Sequence, residues 1–293
     1  MTTMDKTLIS ILGGLGGMLG WGTSDFLANN ASEKVGHAKT FFWSQVAGLL
    51  LIFILVLLVS PNFAITPYLL TLSIIGGIAY AIGYLFFYKA FEIGNISVVS
   101  AVINFQVIFI IAISYFLYQQ SLSPLQIPAL FLLLLGITFV SVNISDIKKG
   151  SLSLLKGVKE TLIAAVLFGV FYWPLNEFIV EKADWLAIGF ITKLTAIIAV
   201  FLIYSFKKQS MVIKKPTNKL FILIAAVGLL EAVGVLSVTF GQSYGDGIIV
   251  APISSALTVV TVGLAMIFLK EKITRLQALG ISMTIIGIIL TAF

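Results

Sequence analysis

The chain has 293 residues, of which 59% are hydrophobic and 10% charged, with a formal charge of +6 and a mean hydropathy of +1.11. So little polar surface excludes a soluble globule of this size, and the lysines sit in short loops beside apolar segments, where membrane topology places them, rather than on a nucleic-acid face. With no cysteine and one histidine, His37, disulfides, thiolate zinc sites and Cys/His nucleophile pairs are ruled out.

Ten apolar stretches follow one another, each of roughly twenty residues, the length that carries a helix across about 30 Å of hydrocarbon. The predicted spans are 7–29, 38–59, 67–88, 96–118, 124–143, 158–180, 184–206, 220–243, 247–269 and 274–293, which leaves no room for a soluble domain. The opening run carries Lys6 against Asp5 and stays apolar past Trp21, the pattern of a first span and not of a cleaved leader. Its cluster GGLGGMLGWG (13–22) lacks the GxGxxG spacing and follows no strand, so Gly13, Gly17 and Gly20 are expected to let this helix approach a neighbour closely and not to cradle phosphate. Asp25, placed near the end of the span, is opposed there by the helix dipole and is not a cap; with Trp21 it either lines an interior cavity or marks a solvated helix end.

The second span contributes Gln45, and the third a stripe of Tyr80, Tyr84 and Tyr88, an aromatic face able to hold a cation or a flat ring. Ser97, Ser100 and Asn104 share a face of the fourth span, as Ser254, Thr258 and Thr261 share one of the ninth; both stripes suit either a polar cavity or hydrogen bonding between helices. The sixth reads GVFYWPLNEF (169–178), where Pro174 removes a helical hydrogen bond and frees a carbonyl about one turn earlier. Interrupted helices often mark transporter sites, so Tyr172, Trp173 and Asn176 are candidate lining residues, against a simple packing kink. Lys193 in the seventh span and Glu231 in the eighth are ionisable groups at mid-membrane depth, where insertion of a charge costs about 2.5 to 3.5 kcal/mol. Glu231 is the leading candidate for proton coupling or for binding a substrate amine. Lys193 is expected either to bind a carboxylate or to pair with Glu231, because leaving both charges buried and unpaired is costly. Glu271, at a loop, reads as a turn or cap residue.

The chain repeats itself. A shift of 151 places Ala81 on Ala232, Gly83 on Gly234, Gly94 on Gly245, Val99 on Val250, Gly136 on Gly287 and LSPLQ (122–126) on ITRLQ (273–277). A shift of 148 places Glu33 on Glu181, Lys34 on Lys182 and Phe42 on Phe190. Under these shifts Tyr80 is the mate of Glu231, and Gln45 of Lys193. Two units, 1–146 and 147–293, each with five spans, must enter the membrane in opposite directions because five is odd. The expected fold is therefore all-α integral membrane, with ten transmembrane helices as two inverted five-helix repeats, an architecture in which a central site can face one side and then the other. Fifteen basic residues fall in the loops after odd-numbered spans and two on the opposite side, which places the odd loops in the cytoplasm and both termini outside.

The segments GWGTSDF (20–26), YKAFEIGNISVVSAVINF (88–105) and APISSALTVVTVGLAMIFLKEKITRLQALGISMTIIGIIL (251–290) resemble the drug/metabolite transporter superfamily, EamA-like branch, over essentially the whole chain. Pro252, Glu271, Gly280 and Gly287 fit that family's pattern. Lys270 departs from it, standing where a glycine is usual, and the charge count opposes the family's common picture of cytoplasmic termini. The resemblance implies transport without naming a substrate; related sequences are associated with amino acids, sugars, purines and drugs. The expectation is a secondary active carrier of a small polar or amphipathic metabolite in the cytoplasmic membrane, with protons as a candidate coupling ion and a homodimer as a candidate assembly. No cofactor, metal, nucleic acid or enzymatic activity is expected; a channel or a membrane enzyme is the alternative, though neither a filter-like segment nor a catalytic cluster is visible. One intramembrane acid and one base together suggest a zwitterion such as an amino acid.

Overall fold

The computed structural model describes residues 3–94, 99, 102–141, 156–214, 217–268 and 274–291. Among these residues the regular structure is helix, with no strand. In chain order they form α1 (Thr3–Val35), α2 (His37–Val59), α3 (Pro67–Ile93), α4 (Gln106–Phe116), α5 (Gln126–Ser141), α6 (Val158–Val180), α7 (Trp185–Phe206), α8 (Asn218–Tyr244), α9 (Gly247–Phe268) and α10 (Arg275–Leu290). Six of them, α2, α3, α6, α7, α8 and α9, are long and apolar enough to cross a membrane, while α4, α5 and α10 are shorter apolar helices. Ser97, Ser100, Lys270 and Glu271 lie outside the described residues.

Helix starts follow from short polar side chains. Thr66 and Thr217, mates under the shift of 151, each accept a hydrogen bond from the backbone N–H three residues on, capping α3 and α8. Thr274 and Gln277 form a reciprocal capping box at α10, and Ser123 and Gln126 exchange the same two hydrogen bonds at the start of α5. The matched LSPLQ and ITRLQ segments are thus two copies of one structural device. Asp184 caps α7 through Leu186 and Ala187, and at the equivalent turn Gly36 adopts φ +86°, which a side chain would strain.

Packing also comes in pairs exchanged between the halves. The helix α1 lies along α8 as α6 lies along α3; α2 packs on α8 as α7 packs on α3; and α5 pairs with its own counterpart α10. The first contact needs glycine: a Cβ on Gly13 would stand 2.6 Å from the Cα of Gly241, and one on Gly20 would stand 2.7 Å from the backbone nitrogen of Gly234. Outward faces carry Leu50, Phe53, Leu57 and Leu58 on α2, Phe221 and Ile222 on α8, and Ile285 and Ile289 on α10. A surface this apolar is solvated by lipid, and the protein is a multi-pass integral membrane protein.

Polar ties define two ends. At one, where α2 and α6 begin and α3 and α7 end, His37 meets Glu92 at 2.6 Å and Tyr204 at 3.2 Å, and Lys89 pairs with Glu160 at 3.1 Å. At the other, Ser10 of α1 accepts from the N–H of Asp246 at 2.7 Å, Asn62 donates to Asp184, and Gln126 donates to the carbonyl of Thr291.

Candidate functional site

Four side chains from four helices meet in the middle of the bundle: Gln45 of α2, Tyr80 of α3, Lys193 of α7 and Glu231 of α8, all with no exposed surface. Lys193 Nζ is ion-paired to Glu231 Oε2 and also donates to Gln45 Oε1 at 2.8 Å and to the Tyr80 hydroxyl at 3.1 Å. Tyr80 donates its hydroxyl proton to Glu231 Oε1, and Gln45 Nε2 donates to Glu231 Oε2 at 3.3 Å. These are two pairs of repeat mates, Gln45 with Lys193 and Tyr80 with Glu231, so each half contributes one residue of each pair. A buried carboxylate and ammonium held this way satisfy each other without water, as low-dielectric surroundings require.

Beside the quartet, toward the His37 end, lies a cavity of about 30 Å³ lined by Trp21, Asp25, Tyr80, Tyr84, Phe87, Ile103, Gln106, Phe168, Tyr172, Trp173 and Leu257. Its walls are aromatic contacts: Tyr80 lies 4.7 Å from Tyr84 and 4.9 Å from Tyr172 between ring centroids, and Trp21 meets Trp173 edge-on at 5.9 Å. Tyr84 stacks on Phe41 at 5.4 Å, and Tyr88 closes the same face. The interruption in α6 positions Tyr172 and Trp173. Leu167–Tyr172 is wound as a π-helix, and the α-helix that resumes at Trp173 carries Pro174 in its first turn, where no intrahelical N–H is needed.

Asp25 is 3% exposed and sits well inside α1, because that helix runs on to Val35 instead of ending near residue 29 as the sequence reading placed it. A solvated helix end is therefore not its setting; it lines the cavity.

The remaining candidates lie elsewhere. Asn176 donates to Gln242 at 2.6 Å, away from the cavity. Asn104 donates to Thr258 at 3.4 Å, tying the start of α4 to α9, and Thr261 donates to the Gly22 carbonyl at 3.1 Å. Ser254 turns its hydroxyl to the carbonyl of Ala251 in its own helix.

Sequence reading passed over Gln106, Phe168 and Glu177. Glu177, 1% exposed, accepts from Gln120 at 2.5 Å, from Ser114 at 3.3 Å and from the Gly247 N–H at 3.0 Å, while Gln120 accepts from the Ile248 N–H at 2.9 Å. The carboxylate therefore sits on the N-terminus of α9, where the helix dipole favours it, and ties α6, the α4–α5 loop and α9 together at the end away from the cavity. The signal was present as an acidic residue inside an apolar span, in the very segment already marked by Pro174.

Repeats, lipid-facing surface and a buried polar centre define a helical membrane protein of transporter type. The profile of the EamA-like transporter family matches residues 8–142 and again 157–293, once per half. The chain belongs to that family, whose members are transporters rather than enzymes. An uncharacterised protein of Methanocaldococcus jannaschii is 32% identical over 132 residues, covering 44% of this chain and 90% of the relative, so that relative is about one repeat long. A solved crystal structure superposes with a TM-score of 0.78 over 99% of this chain and 96% of the other at 16% identity, a likeness of fold alone.

Proposed function

We propose that the protein is a secondary active transporter or exchanger, moving a small polar or amphipathic metabolite, an amino acid or drug-like solute, across the cytoplasmic membrane by alternating access. In this reading ten helices form two inverted five-helix repeats, 1–146 and 147–293, with the odd loops cytoplasmic. The observation that carries it is the meeting of two pairs of repeat mates, Gln45 with Lys193 and Tyr80 with Glu231, in one buried quartet. Groups on the exchange line of inverted repeats are the ones that remain central in both states while the helices around them rock. The polar ties at the two ends, His37–Glu92–Tyr204 and Glu177–Gln120–Gly247, are both made in this structure, and in this reading each opens in turn.

Glu231 is the coupling group in this scheme. Protonating it dissolves the charge pair with Lys193 and changes which arrangement of α7 and α8 is favoured, so a proton is a natural co-substrate. The test is counterflow in proteoliposomes preloaded with unlabelled amino acids, sugars, nucleobases or amines, comparing wild type with Glu231→Gln. Saturable exchange by wild type, and loss of exchange or of its pH dependence in the variant, is the expected result. Flux that never saturates and shows no counterflow would replace the carrier with a channel.

A further inference from the structure

Three buried polar atoms on the wall of the 30 Å³ cavity have no hydrogen-bond partner: Asp25 Oδ1, Gln106 Oε1 and Trp21 Nε1. Unpaired polar atoms are rare in protein interiors and each is costly, so three around one space mark a place built for a guest. The set is lopsided, with two acceptors, one of them on a carboxylate, and one donor. Everything else lining the space is aromatic or aliphatic apart from hydroxyls. Lys193 does not supply the missing cation, since its ammonium is held by Glu231, Gln45 and Tyr80.

We infer that this cavity binds a primary ammonium group, with Asp25 as its counter-ion, Gln106 as its second acceptor and the rings of Tyr84, Phe87, Phe168 and Tyr172 against its apolar body. This deepens the carrier reading by naming the substrate class. Three features choose the primary amine. A cavity of about 30 Å³ takes a group the size of a water and not a trimethylated head. A quaternary nitrogen carries no N–H and would leave both acceptors unpaired, whereas a primary ammonium brings three donors. An amino acid adds a carboxylate to a wall whose donors are one indole N–H and tyrosine hydroxyls, with no cation among the lining residues, so its charge is not offset. The zwitterion suggested by counting one acid and one base is disfavoured for the same reason: those two charges, Glu231 and Lys193, are spent on each other. Trp21 Nε1 is left for a hydroxyl or carbonyl of the guest. Because the space admits only the head, binding of the whole guest requires the aromatic wall to move apart around its body.

Detergent-purified full-length protein would be titrated with radiolabelled phenethylamine, with phenylalanine, trimethylated phenethylammonium and 2-phenylethanol as competitors on the same ring. Phenethylamine should bind, with the other three weaker by about tenfold or more. Asp25→Asn should weaken phenethylamine about tenfold or more with little change for 2-phenylethanol, Asp25→Glu should recover part of the loss, and Gln106→Leu should weaken it severalfold. Binding of phenylalanine or the trimethylated analogue as tightly as the amine overturns the inference, as does a folded Asp25→Asn that binds phenethylamine normally, or wild type that binds none of it at millimolar concentration. The competitor series needs no variant, so poor folding of the Asp25 substitutions leaves a decisive measurement. Counterflow separates the two claims: amine binding without exchange sinks the carrier alone, and exchange of amino acids without amine binding sinks only this site.

Discussion

Glu231 and Lys193 are fully buried and ion-paired with each other, so their stability effects must be coupled. Replacing one alone leaves an uncompensated buried charge, and Glu231→Gln or Lys193→Gln is expected to cost about 3 to 5 kcal/mol, read as a lowered unfolding temperature in detergent. The double variant should recover much of that loss, because two neutral amides can hydrogen-bond with Gln45 and Tyr80. Additive losses would mean that the pair contributes little as a pair. The sequence brought both residues to notice, because ionisable groups inside apolar runs stand out, and the repeat arithmetic named their mates. It did not single out Gln106 or Phe168, whose types are ordinary in such helices and whose significance comes only from the space they face.

Among the elements, the paired capping devices and the glycine contact of α1 with α8 make separate predictions. Thr274→Ala and Ser123→Ala remove equivalent caps and should each cost about 0.5 to 2 kcal/mol, with similar magnitudes because the two sites are copies. Unequal effects would show that one repeat tolerates fraying that the other does not. Gly20→Leu forces α1 from the backbone of α8 and should destabilise by about 1 to 3 kcal/mol or more, while Gly263→Ala, where a Cβ meets nothing within 4 Å, should be silent. The glycine spacing and the matched loop segments were readable in the chain because close approach and capping each depend on specific residue types at fixed offsets. The π-turn before Pro174 was legible as an interruption, but its form was not, since a proline is equally served by a kink. The end of α1 was set too early because its last turns, SEKV (32–35), are polar and held by their neighbours instead of by hydrophobic period.

For the whole molecule, the natural absence of cysteine makes single introduced thiols clean reporters of side. If the odd loops are cytoplasmic, Gln119→Cys, in the loop after α4, should react with an impermeant maleimide added to intact cells, and Lys208→Cys, after α7, should react only once the membrane is opened. The reverse pattern would invert the orientation and leave the repeats untouched. Loosening one end should also change exposure: Glu177→Ala removes the acceptor shared by Gln120, Ser114 and Gly247 and should raise labelling of a thiol at Val250, which is fully buried in α9. Unchanged labelling would mean that Glu177 is only a helix cap.

The sequence by itself determined the membrane setting, the apolar helices, the two-fold repetition and the identity of the charged centre, because each is written in composition, period and offset, which are properties of the chain taken in order. Only the tertiary structure decided that the acid and the base satisfy each other, that Asp25 faces a cavity with one oxygen unpaired, and that Glu177 joins α6, Gln120 and the start of α9. Those facts depend on which faces of distant helices meet, and a helix of apolar residues carries little in its sequence to say which of its faces will turn to lipid and which to a partner.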